Sequence, residues 1–333
     1  MTVTDKEPLI KVRNLVKHFE VKGKGRLHAV DGINFDIYPG ETLGLVGESG
    51  CGKSTVGNVL MRLIPKTSGE MFFKDKDIFK APKKGHLSIC KSMQIIFQDP
   101  YSSLNPRKTI KSILKESYQI HKISSGAKLE EAINELCIDT GISEDLLNKY
   151  PHELDGGKRQ IVGIARALSL SPEFIVCDEP VSSLDVSIQA TIINLLMDLQ
   201  AKRGLSFLFI SHDLSVVRHI SNRIAVMYLG EIIEIAPTDV IFENTMHPYT
   251  IALLSAVPKV EVGKKISRIV LKGDVPSPIN PAPGCRFAPR CWMAREKCKV
   301  EAPTLQKADE NGHSVACHFS KESRGMAAGI TAG

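Results

Sequence analysis

The run Gly47-Glu-Ser-Gly-Cys-Gly-Lys-Ser-Thr55 follows the apolar stretch Thr42-Leu-Gly-Leu-Val46 and satisfies the spacing G-x-x-x-x-G-K-[ST]. Its residue types suit the holding of a phosphate chain. Gly47, Gly50 and Gly52 let the backbone N–H groups of the loop, including those of Glu48, Ser49 and Cys51, curl around phosphate oxygens. Lys53 can reach the β and γ oxygens. Ser54 and Thr55 open a helix whose dipole favours anions, and the Ser54 hydroxyl can ligate Mg²⁺. A second element, Phe174-Ile-Val-Cys-Asp-Glu-Pro180, is an apolar strand that ends in two carboxylates. There Asp178 can hold Mg²⁺ through water, while Glu179 can orient and polarise an attacking water. Adjacent acids alone are a common solvated turn; paired with the phosphate loop they point to binding and hydrolysis of a nucleotide with Mg²⁺.

Such groups need strands to aim them and helices to receive the phosphates. Residues 9–45 hold short β-rich runs, Leu9-Ile-Lys-Val12 and Ile33-Asn-Phe-Asp-Ile37, broken by Asp31-Gly32 and Pro39-Gly40, and predict an antiparallel amino-terminal sheet. From about 101 to 157 the pattern is polar and helical, which predicts an inserted helical subdomain. Helical "SIQATIINLLMDLQAK", strand "SFLFIS", helical "HDLSVVRHI" and hairpin-like "RIAVMYLGEIIEIA" then alternate as in α/β folds. The Pro-rich run from Pro276 to Pro289 is either a linker or a rigid loop wall. The organisation expected is a nucleotide-binding domain over 1–255 and a carboxyl-terminal extension over 256–333.

Composition sets outer limits. The 333 residues are 43% hydrophobic, enough for a sizeable core, and no run approaches the roughly 18 apolar residues of a membrane-spanning helix. The polar start "MTVTDKEPLI" lacks a signal-peptide core, so a cytoplasmic protein is expected. The net charge of +6 is dispersed and selects no polyanionic partner. Eight cysteines in a reducing compartment argue against a disulfide framework. Cys51, Cys90, Cys137 and Cys177 are scattered, whereas Cys285, Cys291, Cys298 and Cys317 crowd about the last fifty residues and suggest a module. These four are separated by five, six and eighteen residues. Four thiolates imply zinc or an iron–sulfur cluster, and zinc modules keep paired cysteines only about two to four residues apart, so the wide gaps lean towards a cluster. Free buried thiols are the plain alternative. Cys51, at a helix N-terminus, is expected either to have a lowered pKa and react with alkylating agents or simply to fill space.

In their order these segments resemble the ATP-binding subunits of ABC transporters over nearly the whole chain, which implies a phosphate-loop NTPase core. Gln98 in "IIFQDP" resembles the family's Q-loop glutamine, a ligand of Mg²⁺ and water that senses the transmembrane partner. Ser182-Ser-Leu-Asp185 resembles the D-loop that crosses a dimer interface. His212 in "ISHD" resembles the switch histidine at the γ-phosphate, and Phe19 stands where the family stacks an aromatic ring on adenine. The stretch Asp155-Gly156-Gly157-Lys158 resembles the signature motif, usually Leu-Ser-Gly-Gly-Gln, whose glycines approach the ATP held by the opposite subunit. Asp155 replaces the usual serine and Lys158 the usual glutamine. Two readings of Asp155 stand open: a helix N-cap, or a carboxylate that repels the γ-phosphate.

Three phrases narrow the resemblance: "FQDPYSSLNPR", "HPYTIALLSAVP" and "GDVPSPINPAPGCRFAPRC". They are similar to those of oligopeptide and dipeptide importer ATPases, and "LGLVGESGCGKST" with "QDPYSSLNPR" to the F-type subunit. That resemblance implies a heterodimer with a D-type ATPase subunit on the cytoplasmic face of the membrane, beneath two permeases that receive peptide from an extracellular binding protein. It also implies a [4Fe–4S] cluster on Cys285, Cys291, Cys298 and Cys317, and no nucleic acid partner. Nickel importers share the phrases, so peptide and metal cargo both stay open. A soluble ABC ATPase acting on nucleic acid or ribosomes would show a coiled-coil insertion or a second cassette, and neither occurs in the sequence.

Overall fold

The computed structural model describes residues 7–80, 83–257, 269–310 and 312–324; the polar start at residues 1–6 lies outside them. Two compact units are built from interleaved segments. One holds the chain up to Lys11, Asp36–Thr42 and Phe72–Ile210; the other holds Val12–Phe35, Leu43–Met71 and the chain from Ser211 onward.

In the first unit the strands Met93–Ile96, Phe174–Asp178 and Ser206–Ser211 run parallel, with Ile96 opposite Cys177 and Cys177 opposite Phe209. Ile175, Val176, Cys177, Leu208 and Phe209 are fully buried. Unbroken apolar runs of this kind belong to parallel strands covered on both faces. The inserted region holds the helices Ile110–Ile120 and Ala127–Thr140 and the short turns Pro100–Ser103, Glu144–Leu147 and Pro151–Glu153. Thr109 starts the first of these helices by accepting the Ser112 N–H at 3.4 Å, and the helix buries Ile110, Ile113 and Leu114 on one stripe. The second buries Leu129, Ile133, Leu136 and Cys137 and stops at Gly141, whose φ of 71° needs glycine. Helices Gly156–Leu168 and Val186–Arg203 complete the unit.

In the second unit Ile10–Val21 lies between Gly25–Ile37 and Ser68–Phe73 in one sheet. The strand Thr42–Val46 runs parallel to Arg223–Tyr228, with Val46 opposite Val226. Leu229 and Gly230, at φ 42° and 88°, then turn the chain into the antiparallel strand Glu231–Pro237, as a two-residue hairpin turn demands. Two short strands, Ser314–Val315 and Gln306–Lys307, extend that edge. The Pro-rich run is a wall and not a linker. Leu27 bridges Ile279, the His28 N–H donates to the Pro278 carbonyl at 3.0 Å, and the Asn280 N–H donates to the Arg26 carbonyl at 2.9 Å. Strands and helices thus form an α/β fold with the expected β-rich amino-terminal part and helical insertion. Among the described residues no helix is long and apolar enough to cross a membrane.

Candidate nucleotide-binding site

The phosphate loop belongs to the second unit and joins the buried strand Thr42–Val46 to the helix Lys53–Leu60. Gly47 and Gly52 are steric necessities. A Cβ at Gly47 (φ 155°) would lie 2.2 Å from the Met227 carbonyl oxygen, and one at Gly52 (φ 110°) 2.0 Å from that of Ala29. Lys53, 4% exposed, donates through Nζ to the carbonyls of Gly47 at 2.8 Å and Glu48 at 3.0 Å, which holds the cation over the loop. Ser49 and Gly50 are exposed, and Ser54 and Thr55 are half-buried in the first turn. Cys51 departs from the lowered pKa anticipated for it. Its thiol is buried, burial pushes its pKa up, and the neighbouring Lys53 charge offsets only part of that. Desolvation outweighs the helix terminus, and the space-filling alternative holds.

Two residues near this loop escaped the sequence reading. The hydroxyl of Tyr249 accepts the Glu48 N–H at 2.8 Å. The guanidinium of Arg290 forks onto the Glu48 carboxylate at 2.7 and 3.1 Å. Both lie within phrases that carried the family resemblance, "HPYT" and "FAPRC", which gave no sign of where they pack. Elsewhere in this unit His212 is exposed between Ser211 and Asp213. Asp213 caps the next helix by accepting the Ser215 N–H at 2.8 Å. Phe19 is half-buried, with the Lys17 ammonium 4.4 Å from its ring centroid.

The carboxylates belong to the first unit. Asp178 ends its strand 6% exposed. Glu179 has φ 46°, a left-handed conformation costing a non-glycine residue about 1–2 kcal/mol, and its N–H is tied to the Ile210 carbonyl at 3.0 Å. Gln98 Nε2 donates to Glu179 Oε2 at 3.0 Å, so two candidate residues 81 positions apart meet. Asp185 stands exposed at the N-cap of helix Val186–Arg203. Asp155 caps helix Gly156–Leu168 by accepting the Lys158 N–H at 2.8 Å, and its other oxygen pairs with Lys158 Nζ at 3.0 Å. The Lys158 N–H, followed by the ammonium, holds the Asp155 pKa below its ordinary value. Gly157 is also a packing residue, since a Cβ there would lie 2.7 Å from Ile188 Cγ2.

Cys285, Cys291, Cys298 and Cys317 line one small pocket with Pro248, Phe287, Met293 and Phe319. The Met293 N–H points at Cys291 Sγ and the Phe319 N–H at Cys317 Sγ, each at 3.4 Å. Burial, with the charges of the neighbouring cysteines, pushes the Cys285 and Cys291 thiols up to about 11 and raises Cys317 as well. Among the described residues, the one set of three metal-type ligand atoms within 4.8 Å of one another is His18, His28 and Asp31. Asp31 is already engaged by His18 at 3.0 Å, by His28 at 2.8 Å and by Arg286, so this set reads as a hydrogen-bonded cluster.

Fold and site together define an ATPase of the ATP-binding-cassette kind. Residues 30–182 match the family described as ABC transporter, and residues 233–298 match the oligopeptide/dipeptide transporter C-terminal region. The chain is 47% identical over 328 residues to the oligopeptide transport ATP-binding protein AppF of Bacillus subtilis (strain 168), covering 96% of this chain and 99% of that protein. It is 45% identical over 321 residues to the dipeptide transport ATP-binding protein DppF of Haemophilus influenzae, covering 95% and 98%. The ATP-binding cassette MJ0796, a dimer bound to ADP and Pi, superposes with a TM-score of 0.63 at 27% identity, covering 69% of this chain and 98% of that one. The chain belongs to the family of ATP-binding proteins of oligopeptide and dipeptide ABC transporters, ATPases that use ATP and Mg²⁺ and are coupled to transport.

Proposed function

We propose that this chain is the F-type ATP-hydrolysing subunit of an importer for oligopeptides or dipeptides. It pairs with a D-type ATPase subunit beneath two permeases on the cytoplasmic face of the membrane, and an extracellular binding protein delivers the peptide. The observation that carries the chemistry is the Gln98–Glu179 hydrogen bond at the end of the strand that also bears Asp178. Backbone N–H groups of Gly47–Thr55 and the Lys53 ammonium bind the phosphates. Ser54, Gln98 and, through water, Asp178 are the residues that would hold Mg²⁺, which would neutralise phosphate charge. Glu179 takes the proton of a water whose oxygen attacks the γ-phosphorus; the bond to the β-phosphate oxygen breaks and ADP leaves. His212 contacts the γ-phosphate, Phe19 stacks on adenine, and Asp185 serves the dimer interface. Asp155, Gly156, Gly157 and Lys158 face the ATP of the partner subunit.

The test is Glu179→Gln in the reconstituted transporter. ATP binding persists while turnover falls by roughly 10²-fold or more and peptide uptake stops. Wild-type turnover in that variant removes Glu179 as the base, and uptake of Ni²⁺ without peptide removes the peptide assignment.

For the cysteine pocket we propose a [4Fe–4S] cluster with a structural role. Its support is convergence: four thiols share one pocket, N–H groups aim at two of the sulfurs, and burial, with the neighbouring cysteines, keeps the thiols protonated until a bound metal would displace their protons to solvent. Anaerobic purification should give a brown protein containing iron and sulfide; one equivalent of zinc without iron would replace the cluster by zinc.

A further inference from the structure

We propose that Arg290 is a positioning residue for the phosphate loop, and that through it the carboxyl-terminal extension sets how tightly the loop holds ATP. The proposal rests on the assignment of Gly47–Thr55 as the ATP site and is independent of what the cysteines hold.

Glu48 is the problem that Arg290 solves. A carboxylate in a loop built to bind phosphates opposes its own ligand, because like charges a few ångströms apart repel. Arg290 cancels that charge by forking onto both carboxylate oxygens, at 2.7 and 3.1 Å. Its side chain is 8% exposed, against 30% for Glu48. The carboxylate keeps the guanidinium firmly charged. Glu48 is also held by its backbone: its N–H goes to the Tyr249 hydroxyl at 2.8 Å, and its carbonyl accepts Lys53 Nζ at 3.0 Å. One loop residue thus links the phosphate-binding lysine, Tyr249 and the extension.

The segment that carries Arg290 is fixed in turn. It forms a short 3-10 turn, Ala288–Arg290, directly before Cys291 of the four-cysteine pocket. The Ala288 N–H donates to the Cys285 carbonyl at 3.0 Å, and the Arg290 N–H donates to the Phe287 carbonyl at 3.0 Å. Phe287, 1% exposed, packs edge-on against Tyr228 at 5.3 Å and Tyr249 at 5.5 Å. The one tryptophan of the chain, Trp292, lies two residues beyond Arg290 and is 42% exposed, a built-in reporter of the segment.

The experiment uses the full chain with its ATPase partner and reads a fluorescent ATP analogue, Trp292 emission and steady-state kinetics. Arg290→Met should weaken ATP binding about tenfold, raise KM more than it lowers kcat, and abolish the change in Trp292 emission on ATP addition. Arg290→Lys, which keeps charge without the fork, should fall between. In a Glu48→Gln background the Arg290→Met change should cost little further affinity, because no carboxylate is left to neutralise. Equal losses with and without Glu48→Gln would overturn the proposal, as would wild-type affinity in Arg290→Met. Lys53→Ala separates the two readings. With the partner's own phosphate-loop lysine already changed to alanine, so that only this chain's site is read, ATP binding left intact in Lys53→Ala means that the loop is not the ATP site and both fall; binding abolished there while Arg290→Met binds normally means that the positioning role alone falls.

Discussion

Asp155 shows how one side chain satisfies two demands that looked opposed in the sequence. It caps its helix through the Lys158 N–H, and its second oxygen is covered by the Lys158 ammonium at 3.0 Å, so the two departures from the usual signature form a pair. Capping alone makes Asp155→Ser nearly neutral for stability and Asp155→Ala worse by about 1 kcal/mol, a difference readable by urea denaturation. In the proposed dimer, where this motif would face the partner's ATP, the two charges would act separately. Removing the carboxylate leaves Lys158 unopposed beside phosphate, and removing Lys158 leaves the carboxylate. With roughly 1 kcal/mol for a partly screened charge several ångströms away, Asp155→Ser should raise nucleotide trapping at the partner's site about fivefold, and Lys158→Met should lower it. Site-resolved trapping in the assembled heterodimer checks both, and the same direction for both variants would show that the pair does not act on the nucleotide.

Among the elements, the hairpin bearing His18, His28 and Asp31 is joined to the extension by Arg286, which contacts Asp31, Glu231 at 3.1 Å and the Leu229 carbonyl. Burial pushes the Asp31 pKa up, but hydrogen bonds from His28, Arg286 and His18 outweigh it and bring it to about 2, against 3.8 for a free aspartate. A depressed folded pKa gives stability that is complete above the unfolded value and is lost as pH falls towards the folded one. Between about pH 4 and pH 2, denaturation midpoints of the wild type should therefore fall faster than those of Asp31→Asn, which is weaker at neutral pH. Parallel slopes would mean that Asp31 does not govern the acid limb. Much of this architecture is invisible in sequence, since Arg286 lies 255 positions from the Asp31 that it contacts. By contrast Phe174–Asp178 and Ser206–Ser211 were legible, because parallel strands buried on both faces must read as continuous apolar runs.

For the molecule as a whole, legibility follows the distance over which a constraint acts. The phosphate loop and the strand-end carboxylates are local patterns and were readable. The Arg290–Glu48 pair joins residues 242 positions apart, and the strands Gln306–Lys307 and Ser314–Val315 are two residues each and exist only by pairing with an edge. That edge is fastened by a buried charge. Glu234, fully buried, accepts the Met246 N–H at 2.6 Å, the Thr245 hydroxyl at 3.0 Å, the His247 N–H at 3.2 Å and His313 Nε2 at 2.8 Å. Burial raises its pKa, yet the bonds led by His313 win and hold it below the ordinary carboxylate value. His313, equally buried, comes from the turn just before Ser314–Val315, so it pins the far end of the extension to the strand Glu231–Pro237. His313→Ala removes a donor from a fully buried carboxylate, which typically costs about 3–5 kcal/mol. His313→Gln restores an N–H and should recover part of that loss. Hydrogen exchange can localise the effect: His313→Ala should speed amide exchange in Glu231–Pro237 and around Cys317, and leave Phe174–Asp178 slow. Uniform acceleration across both units would mean that the extension is fastened by something other than this pair.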